Sequence, residues 1–74
     1  KPSLFYLDVV SEVRRITRKP LAVYSVSAEY TMIKNAVDLA LAQKEVILES
    51  LYAPFRAGAD MLITYFAEYF AENF

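Results

Sequence analysis

With 74 residues, 57% of them apolar, one glycine and no cysteine, the chain is too hydrophobic for a disordered tail. It is also short for a self-sufficient core without a disulfide or a thiolate metal site, so something outside it is expected to help it fold. Eight basic and nine acidic residues leave a formal net charge of −1, which gives no global attraction to nucleic acid or to an anionic membrane. No apolar run approaches the ~18 residues that cross a bilayer, and no secretory signal pattern is present. Neither nucleic acid nor a membrane is therefore an expected partner, and a cytoplasmic location is expected, or a plastid one in a photosynthetic eukaryote.

From Tyr6 to Thr17, Leu7, Val9, Val10, Val13 and Ile16 recur at helical spacing, with Glu12, Arg14 and Arg15 opposite. The pattern predicts an amphipathic helix that stops before Pro20, because proline disfavours helical geometry in its predecessor. The cluster Arg14, Arg15, Arg18 and Lys19 reads as a solvated helix end. Leu21 to Val26 is short, apolar and rich in β-formers, as expected of a parallel strand buried on two sides. Ser27 then offers a hydroxyl as a helix cap, and Glu29 suits the positive first turn.

A helix is predicted from about Glu29 to Leu41, with Met32, Ile33, Ala36, Val37 and Ala40 on its buried stripe. Another follows Gln43 and Lys44, carrying Val46, Ile47, Leu51 and Phe55. Gly58 is placed to close it in a left-handed conformation, and Pro54 is expected to bend it or end it a turn early. Met61 to Tyr65 predicts a second short strand, and Glu68 to Phe74 a last helix, with Phe66, Phe70 and Phe74 spaced four apart.

This alternation of helices with wholly apolar strands argues for an α/β fold with parallel pairing. Two parallel strands cannot close a barrel and leave edges and a face open. The expectation is a single partial domain over residues 1–74, without internal boundary. It would be the last two to three β/α units, the final quarter or so of a (β/α)8 TIM barrel, beginning at the carboxyl end of a strand that precedes Lys1.

In such a barrel the reacting groups gather where strands end and loops begin. Lys1, Ser27 and Tyr65 meet that condition. An amine condenses with a ketone only when unprotonated, so a catalytic lysine needs a site that favours the neutral form, such as an apolar wall. Leu4, Phe5 and Tyr24 are candidates for that wall. The hydroxyls of Ser27 and Tyr65 could hold a carboxylate without adding charge. Each of these residues also has a plain structural role open to it: an exposed lysine, a helix cap, and packing aromatics. The absence of histidine excludes a Ser–His or Cys–His hydrolase within the chain. A lone Gly58 excludes a glycine-rich phosphate loop.

The segments Lys1-Pro2-Ser3-Leu4-Phe5-Tyr6-Leu7-Asp8, Tyr24-Ser25-Val26-Ser27-Ala28-Glu29-Tyr30 and Arg56-Ala57-Gly58-Ala59-Asp60, closed by Thr64-Tyr65-Phe66, together resemble the carboxyl-terminal part of the porphobilinogen synthase family. The resemblance runs over essentially the whole chain in one register. It implies a lyase that condenses two 5-aminolevulinate molecules to porphobilinogen in heme and tetrapyrrole biosynthesis, through lysine Schiff bases, in a TIM barrel that forms homo-oligomers. Lys1 matches the family's Schiff-base lysine of the Lys-Pro motif, Ser27 and Tyr65 the pair that holds that substrate's carboxylate, and Tyr24 an aromatic residue lining the pocket. The resemblance also implies zinc or magnesium held by upstream residues, with no cofactor bound by this segment. The partners it implies are 5-aminolevulinate, the rest of the barrel and the homo-oligomer.

The chain departs from the pattern at Ala28, where the family has glycine and a methyl is expected to crowd the backbone. It also departs at Pro54-Phe55 and at Phe5. The resemblance implies that the chain alone is inactive. Two readings compete with it: a non-catalytic structural remnant that folds by docking on a partner or on itself, and another Schiff-base barrel of aldolase type.

Overall fold

The computed structural model describes all 74 residues. A 3-10 turn, Leu4–Tyr6, leads into α1 (Leu7–Ile16), followed by β1 (Ala22–Tyr24), α2 (Ser27–Asp38), α3 (Glu45–Ala57), β2 (Met61–Ile63) and α4 (Ala67–Asn73). The expected order of elements is the observed one, and β1 and β2 pair in parallel with Ala22 opposite Met61, Val23 opposite Leu62 and Tyr24 opposite Ile63. The ladder extends past both strands: Asp60 and Met61 amides donate to Leu21 O, and the Ser25 amide donates to Ile63 O at 2.9 Å.

Both strands are shorter than the apolar runs that predict them, and they are not buried on two sides. In a parallel pair, residues in register point to the same face. Val23 and Leu62 face the helices and join Val10, Ala59, Leu21 and Ala57 in one small cluster. Leu62 also touches the second cluster, formed by Ile47, Leu51 and Phe66 with Tyr30, Ile33, Val37 and Tyr69. The opposite face, carrying Met61 at 49% exposure and Ile63 at 56%, is open. Only nine residues of the chain are buried. One face of the sheet is thus packed and the other is apolar and bare.

The apolar positions expected to line the later helices are buried only in part. In α3 the buried line is Ile47, Leu51 and Pro54, while Val46 and Phe55 are exposed. Spacings of four and three put Ile47, Leu51 and Pro54 on one face, and apolar neighbours on both sides of that line hide its phase in the sequence. Pro54 does not end the helix early; it is carried inside it, three residues before the last. In α2 Ile33, Ala36 and Val37 are half-buried, but Met32 and Ala40 are exposed. Ala40 lies past the helix end, where φ of +59° lets the Leu41 amide reach back to Ala36 O at 2.8 Å. In α4 Phe66 is buried just before the helix, and Phe70 and Phe74 remain exposed, stacked on each other at 5.8 Å.

Gly58 closes α3 as expected, with φ of +124°. Arg14 is not the solvated residue expected at the end of α1. Its guanidinium donates to Gly58 O, Thr17 O, Lys19 O and the Asp60 carboxylate. Asp60 in turn accepts from the Leu21 amide at 2.8 Å. Part of the cause is distal: the loop after α3 brings Gly58 O and the Asp60 carboxylate under the last turn of α1, beside the Thr17 and Lys19 carbonyls, where a fork of five donors can satisfy several at once. Arg15 pairs with Glu12 on the helix surface.

Candidate active site

Because the strands are parallel, their carboxyl ends open on one side, and the chemistry-bearing residues can be placed from there. Tyr24 is the last residue of β1, and Tyr65 lies two residues beyond β2. Their hydroxyls meet at 3.2 Å, with ring centroids 6.4 Å apart. Lys1 Nζ sits over the Tyr24 ring, 5.8 Å from its centroid. A shallow cleft of about 130 Å³ lies there, lined by Tyr24, Ile63, Thr64 and Tyr65. A larger, open depression at the amino ends of the strands is lined by Arg14, Arg18, Asp60 and Met61 among others. In β/α barrels that end serves stability rather than chemistry.

The hydrogen bond with Tyr24 holds the Tyr65 phenol above its ordinary pKa, with the charge interaction with Tyr24 and burial adding to the effect. Tyr65 is therefore a neutral hydroxyl through the whole physiological range and can donate to an anion. Its ring is braced by Tyr30 at 5.8 Å, which itself packs on Phe66 at 4.6 Å.

Ser27 does not cap the helix. Val26 occupies the cap position, no side chain closes the cap, and Ser27 is the first helical residue, exposed. The structure brings Lys1, Tyr24 and Tyr65 together but joins Ser27 to none of them by a hydrogen bond. Its hydroxyl is at the amino end of α2, on the same side of the sheet as the other three.

The apolar surroundings of Lys1 match the expectation at Tyr24, whose ring lies under Nζ, and depart from it at Phe5. Phe5 is exposed, and the furrow of about 350 Å³ beside Lys1 is lined instead by Pro2, Tyr6, Val9, Val10 and the start of β1. Helical periodicity explains this, since Tyr6 and Val9 lie three residues apart and point to the same side. Ala28 is exposed in the first turn of α2 and has no strained backbone, the one non-glycine residue with positive φ being Ala40.

Glu29 is the residue that sequence reasoning undervalued. It is 3% exposed, and its carboxylate accepts from the Ser3 amide at 2.9 Å, the Leu4 amide at 2.9 Å and the Ser25 hydroxyl at 3.0 Å. The local signal, an acid in a first helical turn, points to the helix's own amides. The partners that it meets lie 25 and 26 positions away at the start of the chain.

The chain gathers no group of three or more His, Cys, Asp or Glu side chains that could hold a metal ion. No helix is long and apolar enough to cross a membrane.

A lysine, two tyrosine hydroxyls and a serine stand at the carboxyl side of parallel strands backed by helices, the arrangement of a β/α-barrel segment and the end at which such barrels carry their chemistry. The chain belongs to the delta-aminolevulinic acid dehydratase family, whose model matches residues 1–73. It is 46% identical over 73 residues to the delta-aminolevulinic acid dehydratase of Methanothermus sociabilis, covering 99% of this chain and 23% of that protein. It is 48% identical over 67 residues to that of Methanothermobacter thermautotrophicus, covering 90% and 21%. The crystal structure of delta-aminolevulinic acid dehydratase (porphobilinogen synthase) from Toxoplasma gondii ME49, in complex with the reaction product porphobilinogen, superposes with a TM-score of 0.93. The two are 41% identical, over 97% of this chain and 21% of that one. The chain thus spans about a fifth of the length of the curated relatives it matches. The two parallel strands and their helices match part of the TIM barrel of this family, which acts in heme biosynthesis.

Proposed function

We propose that this chain supplies one substrate site of a porphobilinogen synthase, the carboxyl-terminal part of a lyase that joins two 5-aminolevulinate molecules into porphobilinogen. The observation that carries this reading is the convergence of Lys1, Tyr24 and Tyr65 at the carboxyl ends of two parallel strands. The fold match to a relative solved with porphobilinogen supports it.

Lys1 Nζ, as the free amine, attacks the ketone carbon of 5-aminolevulinate. The carbinolamine then loses the former ketone oxygen as water, leaving the imine. Tyr65, protonated at physiological pH like any tyrosine, donates to the substrate carboxylate, and Ser27 donates from the amino end of α2, where the helix dipole favours an anion. Tyr24 forms the aromatic floor between the amine and the clamp. The exposed face with Met61 and Ile63 fills the barrel interior, where such layers of apolar side chains belong.

The residues present do not fit a metal site, so no step assigned to them runs through a metal; zinc or magnesium would be held by other parts of the enzyme. By itself the chain has half of the two-substrate site and is inactive. Its nine buried residues and bare sheet face favour a segment that is completed by the remainder of the barrel and its homo-oligomer.

The test is reductive trapping in the intact enzyme that carries this segment. After incubation with 5-aminolevulinate and borohydride, mass spectrometry should find the adduct on the Lys1 side chain. Any free α-amine, with an ordinary pKa near ~8, is acetylated first as a control. An unmodified Lys1 in a folded, saturated enzyme would overturn the reading.

A further inference from the structure

We infer that Glu29 is a positioning residue for Lys1: its buried carboxylate fixes the loop that carries the amine to the end of β1 and the start of α2. This inference rests on the assignment of Lys1 as the Schiff-base residue. The two backbone amides after the Lys1-Pro2 pair, Ser3 and Leu4, both donate to Glu29, one to each carboxylate oxygen. The oxygen that receives Leu4 also receives the Ser25 hydroxyl. Ser25 is itself pinned to β2 through its amide and Ile63 O. One side chain therefore ties three elements, and the lysine stands two residues from the knot.

A carboxylate buried without donors is costly, and a neutral group would suffice to fill the space. Here every contact given to Glu29 is a donor and none is a cation, so the charge is spent on backbone geometry. Glutamine cannot replace it. Its amide nitrogen would face a backbone N–H or the serine hydroxyl in place of an acceptor oxygen, which releases at least one strand of the knot. The hydroxyl of Ser3 is buried without a partner and its carbonyl accepts only from the nearby Tyr6 amide, so its hydrogen bond to another element is the one from its amide to Glu29.

The consequence is confined to the placement of the amine. Of the carboxylate clamp, Tyr65 stands beyond β2, and Ser27, though on α2 with Glu29, is held by the helix itself and makes none of the Glu29 contacts, so loosening the Lys1 loop should slow imine formation and leave substrate affinity nearly intact. A displacement of about 1 Å costs on the order of 10²-fold in rate.

The experiment compares the intact enzyme with Glu29→Gln, Glu29→Asp and Ser25→Ala, following the saturating rate of borohydride-trapped Lys1 adduct, KM for 5-aminolevulinate and the melting temperature. Glu29→Gln is expected to trap about 10²-fold more slowly with KM within about threefold of the unsubstituted enzyme. Glu29→Asp, which keeps both acceptor oxygens on a shorter stem, should recover part of the rate. Ser25→Ala removes one hydrogen bond and should slow trapping about tenfold, which keeps the inference testable should Glu29→Gln fail to fold. Wild-type trapping rates in Glu29→Gln, or in Ser25→Ala, overturn the inference and leave the Lys1 assignment standing. A fall in rate that merely follows lost melting temperature and raised KM also overturns it. No adduct on Lys1 in the unsubstituted enzyme overturns the assignment and the inference with it.

Discussion

Replacing Gly58 by alanine tests how the amino ends of the strands are held. At φ of +124° the backbone lies outside the region open to residues with a Cβ, and holding a non-glycine residue there costs about 1–3 kcal/mol. The added Cβ would also lie 2.6 Å from Arg14 Cγ, 2.8 Å from Arg14 Cβ and 3.0 Å from Arg14 Cδ, against an optimum of about 3.5–4.0 Å between carbons. Those atoms are the root of the Arg14 side chain and not its mobile end. Relief therefore requires α1 to shift, or Arg14 to change rotamer and release Gly58 O, Asp60, Thr17 O and Lys19 O. Overpacking of this kind costs a further ~1–3 kcal/mol. The sum, about 2–6 kcal/mol, is a large share of the ~5–15 kcal/mol that holds a domain together. Chemical denaturation of the intact enzyme measures it as a lowered midpoint at unchanged slope. A double-mutant cycle with Arg14→Gly separates the two causes, because removing the whole Arg14 side chain, Cβ included, removes the clash and not the backbone strain. A midpoint within ~0.5 kcal/mol of wild type, or strict additivity in the cycle, would refute the packing argument.

Asp60 gives a pH signature at the same junction. The Leu21 amide first, then Arg14, hold its carboxyl below the ordinary range, so its contribution to stability is present above the unfolded pKa of about 4 and is lost as pH falls through the lower folded value. Melting curves against pH should show Asp60→Asn lowering stability near neutrality and the gap to wild type closing in acid; a gap that stays constant down to pH ~2 refutes the role given to the ionised form. At the other end of the strands, Tyr65→Phe and Ser27→Ala should each raise KM for 5-aminolevulinate about 10- to 100-fold, the range for a hydrogen bond to a charged group, with kcat changed little. Steady-state kinetics in the intact enzyme decides this, and an unchanged KM in both variants removes the proposed carboxylate clamp.

The order of elements and the parallel pairing were legible because apolar periodicity and punctuation by Pro20 and Gly58 are local signals. The phase of α3 was not. Val46, Ile47, Leu51, Pro54 and Phe55 offer two overlapping apolar lines, and the packing of Phe66 and Leu62 against Ile47 and Leu51 decides between them. Burial of the strands was over-read for a related reason. An apolar run records the environment of the complete fold, and within this chain only the Val23 and Leu62 face meets its partners. Of the candidate site, the position of Tyr65 near the carboxyl end of β2 was legible from the apolar run before it, whereas Tyr24, expected inside a strand running to Val26, is where β1 ends. Ser27 was misjudged as a cap because capping propensity carries no information on where the preceding strand stops; the helix starts one residue early and leaves the hydroxyl free.

Arg14 and Glu29 escaped the sequence for one shared reason that also explains what they do. Each is a charged residue in a helix, and each reads locally as surface or dipole chemistry. Each instead spends its charge on backbone groups, some of them far along the chain: Arg14 on the Gly58 carbonyl after α3 and on the Thr17 and Lys19 carbonyls of its own helix end, Glu29 on amides at the first residues. Backbone groups have no sequence signature, so such contacts are invisible to residue patterns, yet they are strong because one partner is charged. Their placement divides the labour of the fold. The cation braces the amino ends of the strands, where a barrel keeps its stability, and the anion braces the carboxyl ends, beside the loop of the proposed Schiff-base lysine. Loss of Arg14 should therefore be felt in unfolding and loss of Glu29 in the rate at which Lys1 captures substrate.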